Sequence, residues 1–173
     1  KSYVKSKLIS YGYSVKELGG GLVSTIGRGS PVILLRADMD ALPMMEESGE
    51  PFASDHEACH SCGHDGHTSM LLGAAQILKM HEDEIKGTIK LMFQPGEETL
   101  KGSQQMIDAG VLENPKVDVA MGFHLNFGPM GDFDLYPGNL AFCKGKAMIS
   151  GDEFLITVRG KMAHGSNAFM GVS

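Results

Sequence analysis

A continuous apolar run, Val32-Ile33-Leu34-Leu35, is followed directly by a polar segment, Arg36-Ala37-Asp38-Met39-Asp40. Four consecutive apolar residues predict a strand that is buried on both faces, because a half-exposed strand would alternate apolar and polar positions. Polar side chains that begin where such a strand ends indicate a site at its carboxyl end. A strand of this kind is typical of an α/β fold, in which helices flank a sheet.

The rest of the chain alternates between helical and strand patterns. The spacing of apolar residues predicts helices at residues 3–11, 65–81 and 102–109. Strands are predicted at residues 22–27, 88–93, 117–123 and 154–160. In such a fold the ligand crevice lies outside the carboxyl ends of the strands. The one domain boundary that the pattern indicates lies near residue 150.

Composition and charge exclude several classes of partner. Fifteen basic against twenty-one acidic residues leave a net charge of −6, which argues against nucleic acid or an anionic membrane as the main partner. No apolar run approaches the roughly 18 residues of a membrane span. Three cysteines do not indicate a disulfide framework, so we expect a reducing, cytoplasmic setting.

The densest group of reactive side chains is Cys59-His60-Ser61-Cys62-Gly63-His64-Asp65-Gly66-His67. Two thiols, three imidazoles and one carboxylate in nine residues form the ligand set of zinc and its neighbouring divalent metals. Asp65 also stands where a helix N-cap is expected. Cys59 and Cys62 leave a second interpretation open, a thioredoxin-like redox dithiol, which would require a thiol of low pKa.

Further candidate site residues follow the predicted strands. Glu97 and Glu98 come after a strand and a Pro-Gly break, and neighbours that leave a strand point to opposite sides. One carboxylate can then bind a metal while the other acts as a general base. His124 ends a strand and is placed to reach the crevice. Asp38 and Asp40 suit the orientation of metal ligands.

Five motifs, in this order, resemble the aminoacylase/carboxypeptidase family of metallopeptidases. They are Arg36-Ala-Asp-Met-Asp-Ala-Leu-Pro43, Cys62-Gly-His-Asp-Gly-His67, Gln94-Pro-Gly-Glu-Glu98, Gly122-Phe-His124 and Arg159-Gly-Lys-Met-Ala-His164. The resemblance is greatest to the amidohydrolase branch, which contains hippurate hydrolases, N-acyl-amino-acid deacylases and hydrolases of indoleacetyl-amino-acid conjugates. It implies a zinc-peptidase-like catalytic domain with a mixed sheet, into which a smaller α/β dimerisation domain is inserted.

The resemblance also implies roles for particular residues. It implies two divalent metal ions (zinc, manganese, cobalt or nickel) and places the metal ligands at Cys62, His64, Glu98 and His124. Glu97 matches the catalytic base, and Cys62 is placed to bridge the two ions. His164 matches a histidine that enters the active site from the smaller domain, often that of a neighbouring subunit, and binds the oxyanion. For residues near the ions, namely Asp38, Asp40, Asp65 and His67, we expect a supporting role.

The expected activity is the metal-dependent hydrolysis of N-acyl amino acids to a carboxylic acid and a free amino acid. The resemblance divides the chain into a catalytic domain at residues 1–150 and the start of the smaller domain at 151–173, and it implies a homodimer or higher homo-oligomer. One alternative is a dipeptidase or carboxypeptidase of the same family, whose members commonly carry His-x-Asp where this chain has Asp38-Met39-Asp40. Another is a catalytically incomplete metal-binding fragment, because the family's last histidine ligand has no counterpart among these residues.

Overall fold

The computed structural model describes residues 1–126, 128–130, 133–136, 138–142, 144–146, 154–157 and 159–171. The chain divides into two compact units, Lys1–Asn139 and Leu140–Ser173. The domain boundary predicted at residue 150 lies outside the described residues, so it stays a prediction. None of the described helices combines the length and apolar character that crossing a membrane would require.

The first unit is built on a five-stranded mixed sheet, as predicted for this fold class. Its strands are β1 (Val15–Leu18), β2 (Gly21–Arg28), β3 (Val32–Asp38), β4 (Gly87–Gln94) and β5 (Val119–Gly122). Their order across the sheet is β1-β2-β4-β3-β5. Strand β3 runs parallel to both of its neighbours, β4 and β5, whereas β2 pairs antiparallel with β1 and β4. The predicted strand at residues 32–35 is therefore an interior strand.

Helices cover both faces of this sheet. They are α1 (Ser2–Ser10), α2 (His64–Met80) and α3 (Gly102–Asp108), and a short 3-10 helix at Glu82–Glu84 follows α2. Successive residues of β4 point to opposite faces: Leu91 and Phe93 pack in one core with α1 and α2, and Met92 packs in the other with Met106 of α3. The predicted alternation of strands and helices thus produces a three-layer unit with two apolar cores.

Lys90 is the one charged residue of strand β4. Its side chain is buried, and Nζ donates hydrogen bonds to the carbonyl oxygens of Val111, Glu113 and Pro115 at 2.8–2.9 Å. Burial lowers the pKa of Lys90. The three bonds fix the turn that leads from α3 to β5. Asp118 attaches the end of this turn to strand β3, because its Oδ2 accepts from the backbone N–H of Val32.

Two strand assignments differ from the sequence prediction. Strand β1 was not predicted, since it has only four residues. No strand is present among the described residues of 154–160, although one was predicted there. Phe154, Leu155 and Ile156 are more than four-fifths exposed, so this apolar run has strand propensity without the paired neighbour that a strand needs. A two-stranded antiparallel sheet, β6 (Gly128–Met130) and β7 (Phe133–Leu135), follows β5.

Candidate active site

The predicted site residues of the first unit gather at the carboxyl ends of the parallel strands. Asp38, the last residue of β3, is in register with Gln94, the last residue of β4. Arg36 is in register with Gly122 of β5, two residues before His124. The crevice expected outside these strand ends is therefore the place where the motifs meet.

The start of helix α2 positions the first ligand candidates. Gly63 has a φ of +81°, a left-handed conformation that glycine adopts without steric cost. The helix begins directly after it, so His64 points into the site and is buried. The prediction that Asp65 caps the helix is wrong, because Gly63 holds the N-cap position. Asp65 lies in the first helical turn with its side chain exposed.

The ring of His64 is oriented by the backbone of Asp40. Its Nδ1 lies 3.0 Å from the Asp40 carbonyl oxygen, which only accepts, so Nδ1 carries the proton and Nε2 keeps its lone pair. That Nε2 is buried and has no hydrogen-bond partner. It faces Glu98 Oε1 at 3.7 Å and Glu97 Oε2 at 3.8 Å. A buried imidazole lone pair that faces two carboxylates fits a metal ligand.

His124 lies beside Cys62, and both residues are close to His64. Nδ1 of His124 lies 2.6 Å from the carbonyl oxygen of Leu125, so it carries the proton and leaves the lone pair on Nε2. That Nε2 lies 3.3 Å from Sγ of Cys62. The rings of His64 and His124 are 6.2 Å apart and nearly perpendicular. His64 and His124 thus present the same ring nitrogen to the space beside the thiol.

Among the described residues, His64 belongs to each group of side chains that could hold a metal ion. One group is Cys62, His64 and His124, and another is His64, Glu97 and Glu98, with the ligand atoms of each group within 4.8 Å of one another. A third group, Asp38, His64 and His67, is fully buried. The structure therefore brings together all four predicted metal ligands and the predicted base.

The side chains of Glu97 and Glu98 do not point to opposite sides, as was expected from the sequence; both carboxylates lie near Nε2 of His64. Strand β4 ends at Gln94 and residues 97–100 form a turn, so the alternation of a strand does not apply to them. Both backbone amides donate to the carboxylate of Asp40, Glu97 at 3.0 Å and Glu98 at 3.1 Å. Asp40 thereby aims both glutamates at His64.

Asp38 is buried; one of its oxygens accepts a hydrogen bond, and the other has an ion-pair contact but no hydrogen-bond partner. Oδ1 accepts from Nδ1 of His67 at 2.6 Å, and Oδ2 lies 2.9 Å from Nη1 of Arg36. Burial alone would raise the pKa of Asp38, but the hydrogen bond from His67 and the charge of Arg36 hold it below its ordinary value. Gln94, which was not predicted as a site residue, also contacts Arg36: its Oε1 accepts from Nε of Arg36 at 2.9 Å. The only signal for Gln94 was its place beside the Pro-Gly-Glu-Glu block.

The electrostatics of Cys62 do not favour the redox interpretation. Burial raises the pKa of the Cys62 thiol, and the neighbouring carboxylates of Glu98, Glu97 and Asp38 raise it further. A redox dithiol requires the opposite shift. Cations in the site would reverse this effect, because a metal stabilises the thiolate.

The remaining predicted catalytic residue, His164, lies in the second unit. It directly precedes a 3-10 helix at Gly165–Met170, and its Nδ1 accepts from the backbone N–H of Ser166 at 3.2 Å. In the neutral ring the proton is then on Nε2. His164 therefore presents a hydrogen-bond donor, unlike the ring nitrogens that His64 and His124 direct at the site.

A family profile described as Peptidase family M20/M25/M40 matches residues 34–163. The chain belongs to this family. N-acetyl-L-cysteine deacetylase of Bacillus subtilis is 42% identical over 78% of this chain and 30% of its own length. Thermostable carboxypeptidase 2 of Saccharolobus solfataricus is 41% identical over 96% of this chain and 44% of its own length. The chain thus spans less than half of these relatives.

The fold agrees with a solved member of the M20 family. A dinuclear metal-binding peptidase of Bacillus subtilis superposes with a TM-score of 0.68 at 34% identity, over 73% of this chain and 36% of that chain. The family assignment and this likeness confirm the predicted mixed-sheet α/β class and the predicted resemblance. The thiol, imidazole and carboxylate groups in the crevice are also the kinds of ligand that divalent metals take.

Proposed function

We propose that this chain is part of a metal-dependent amidohydrolase that cleaves N-acyl amino acids into a carboxylic acid and a free amino acid. The observation that carries the proposal is the buried, unpartnered Nε2 of His64, which faces Glu97 and Glu98 on one side. On the other side it shares a potential ligand group with Cys62 and His124. The N-acetyl-L-cysteine deacetylase among its relatives supports the substrate class.

Two divalent ions are assigned to this centre, with Cys62, His64, Glu98 and His124 as their ligands. Glu98 supports this assignment, because its Oε1 is a buried oxygen without a hydrogen-bond partner. The likeness to a dinuclear metal-binding peptidase supports the number of ions. Zinc, manganese, cobalt and nickel all accept this mixture of thiolate, imidazole and carboxylate. When bound, such ions lower the pKa of water and polarise the substrate carbonyl.

Glu97 is assigned as the general base. Its side chain is about one-third exposed, more than that of Glu98, so it can reach both the centre and an entering water. Glu97 accepts a proton from that water as the oxygen attacks the amide carbon. When the C–N bond breaks, Glu97 returns the proton to the leaving amine, so that no net proton is gained or lost.

His164 is assigned to the developing oxyanion. Its neutral ring has the proton on Nε2 because Nδ1 accepts from Ser166, and a positioned N–H donor to an oxyanion lowers a barrier by roughly 3 kcal/mol. The proposal includes a homodimer or higher homo-oligomer, in which the smaller domain of one subunit supplies this histidine to another. It also includes a cytoplasmic setting, which the free thiols of Cys59 and Cys62 support.

The test uses the full-length enzyme. Metal analysis is combined with an assay on hippurate and on N-acetyl amino acids, before and after removal of the metal by a chelator. We expect bound divalent metal and turnover that is lost on chelation and restored by metal. His64→Ala should lose the metal, whereas His81→Ala, at the exposed far end of α2, should keep it. Bound metal without turnover on either substrate class would contradict the proposal.

One alternative has specific support. The similarity to thermostable carboxypeptidase 2 favours peptide cleavage by the same centre. The same assay separates the two activities when dipeptides and N-blocked peptides are included as substrates. Faster turnover of peptides than of N-acyl amino acids would favour the carboxypeptidase function.

A further inference from the structure

Leu125, the residue that follows His124, is held through its backbone and its side chain. Its N–H donates to Nε2 of His67 at 2.8 Å, and its carbonyl oxygen accepts from Nδ1 of His124 at 2.6 Å. A Cβ added at Gly66 would collide with Cδ1 of Leu125, and one added at Gly63 would lie 3.4 Å from the same atom. The two glycines therefore form a notch at the start of α2 that receives the Leu125 side chain.

His67 is itself fixed in one tautomer. Because Nε2 accepts from the Leu125 amide, the proton of the neutral ring is on Nδ1, which donates to Asp38 Oδ1 at 2.6 Å. His67 is 2% exposed, and Asp38 is held in turn by its ion pair with Arg36. Both nitrogens of His67 are engaged, so neither presents a lone pair to an ion in this arrangement.

We propose that His67 is a positioning residue of the metal centre, which acts on His124 through the backbone of Leu125. Three hydrogen bonds run in sequence, from His67 to Asp38, from Leu125 to His67 and from His124 to Leu125. They fix the tautomer of His124 and leave its Nε2 beside Cys62, at 3.3 Å from Sγ. This inference rests on the proposed function, since it assigns His67 a task toward the same centre.

The competing role for His67 is that of a metal ligand. Asp38, His64 and His67 are close enough to form a ligand group, but such a role requires His67 to give up its bond with either Asp38 or the Leu125 amide. A ligand and a positioning residue therefore predict different protonation of the ring and different protection of the Leu125 amide.

The test compares two substitutions in the full-length enzyme. The amide of His67→Asn reaches the position of Nδ1 and can donate to Asp38, but it offers the Leu125 N–H no acceptor. The amide of His67→Gln reaches the position of Nε2, where its oxygen can accept from Leu125. We expect His67→Asn to weaken the binding of Mn²⁺ alone by about 10- to 100-fold. Its Leu125 amide should exchange several-fold faster in the metal-free protein, and His67→Gln should restore most of both.

His81→Asn is the matched control, because His81 is an exposed histidine at the other end of α2, and it should change neither quantity. Unaltered Mn²⁺ affinity and Leu125 exchange in His67→Asn would overturn the proposal. So would a His67→Gln variant that binds Mn²⁺ as weakly as His67→Asn while its Leu125 amide stays protected, because that result identifies a ligand.

A measurement on the unsubstituted protein keeps the proposal testable if a variant fails to fold. Imidazole ¹⁵N NMR of the metal-free enzyme should find the proton on Nδ1 of both His67 and His124, and a proton on Nε2 of His67 would overturn the proposal. None of these readouts uses hydrolysis. Absence of turnover in an enzyme with the expected tautomers and Mn²⁺ affinities would therefore contradict the proposed function and leave the role of His67 in place.

Discussion

The carboxylate of Asp40 accepts the backbone amide of Glu97 at 3.0 Å, and its other oxygen accepts that of Glu98. A side chain from the segment after β3 thus determines how the turn after β4 presents its two glutamates. Asp40 also supplies the carbonyl oxygen that orients His64. One residue therefore links the proposed base to a proposed ligand without itself being assigned to either role.

Asp40→Asn should lower kcat by about 10- to 100-fold. The substitution replaces one carboxylate oxygen by an NH₂ group, which would face a backbone N–H, so one of the two bonds to the glutamate turn is lost. The measurement is kcat together with bound metal in the full-length enzyme. Asp83→Asn is the control, since that carboxylate is exposed in the 3-10 helix at Glu82–Glu84. A wild-type kcat in Asp40→Asn would contradict the positioning role.

Glu97→Gln should keep its metal and lose turnover by about 10²- to 10⁴-fold, the usual contribution of a general base. The amide is close in shape to the carboxylate but cannot accept the proton from water. Bound metal is measured beside kcat, and Glu113→Gln serves as a control outside the site. Retained turnover with bound metal would remove Glu97 from the role of base.

Gly102→Ala should lower the free energy of unfolding by about 1–3 kcal/mol. A Cβ at this position would collide with the carbonyl oxygen of Pro95, so the turn that carries Glu97 and Glu98 would have to move. Urea denaturation measures the change, and kcat should fall with it.

Gly73→Ala is the opposite case within the same chain. Gly73 lies in the interior of α2, and no atom outside its own stretch of helix backbone lies within 4 Å of an added Cβ, so alanine should raise the free energy of unfolding by about 0.5–1 kcal/mol. A loss of stability at both positions would contradict the packing argument, which depends on the contrast between them.

Stability should fall at high pH as Tyr13 titrates. Burial, with a smaller contribution from the charge of Glu82, raises the pKa of Tyr13 to about 12, and its hydroxyl donates to the Ala75 carbonyl at 2.8 Å. The folded pKa exceeds the unfolded value of about 10. The contribution of the Tyr13 hydroxyl to the free energy of unfolding is therefore complete below about pH 10 and is lost as the pH rises from about 10 to 12.

Tyr13→Phe removes the titrating group, so the stability difference between wild type and variant should shrink by about 2 kcal/mol across that interval. Urea denaturation at a series of pH values between 9 and 12 provides the measurement. A difference that stays constant over this range would show that the hydroxyl of Tyr13 is not responsible for the alkaline loss of stability.

Much of the fold follows from apolar periodicity. The interior strand at 32–35 and the long helix after Gly63 are confirmed, because their apolar spacing is a signal that is local in sequence. The strand buries Val32 and Leu34, and the helix buries Leu71, Leu72 and Ala75. The short strand β1 has exposed Lys16 and Glu17 at its centre, so pattern alone could not reveal it. The antiparallel placement of β2 beside β4 depends on contacts between distant segments, which no local window contains.

The candidate site was predictable as a set of residues but not as an arrangement. The clustering of thiol, imidazole and carboxylate side chains identified the donors. Which nitrogen of each histidine carries the proton depends on the backbone atom that the ring contacts. His64 contacts the carbonyl oxygen of Asp40, His67 the N–H of Leu125, and His124 the carbonyl oxygen of Leu125. Sequence cannot supply those contacts, because they join residues up to 58 positions apart.

The three carbonyl oxygens that bind the ammonium group of Lys90 give this residue an influence at a distance. They belong to the turn that leads into β5, and β5 leads in turn to His124. Replacement of Lys90 would remove the anchor of the segment that carries the chain towards His124, although every residue of the candidate site is retained.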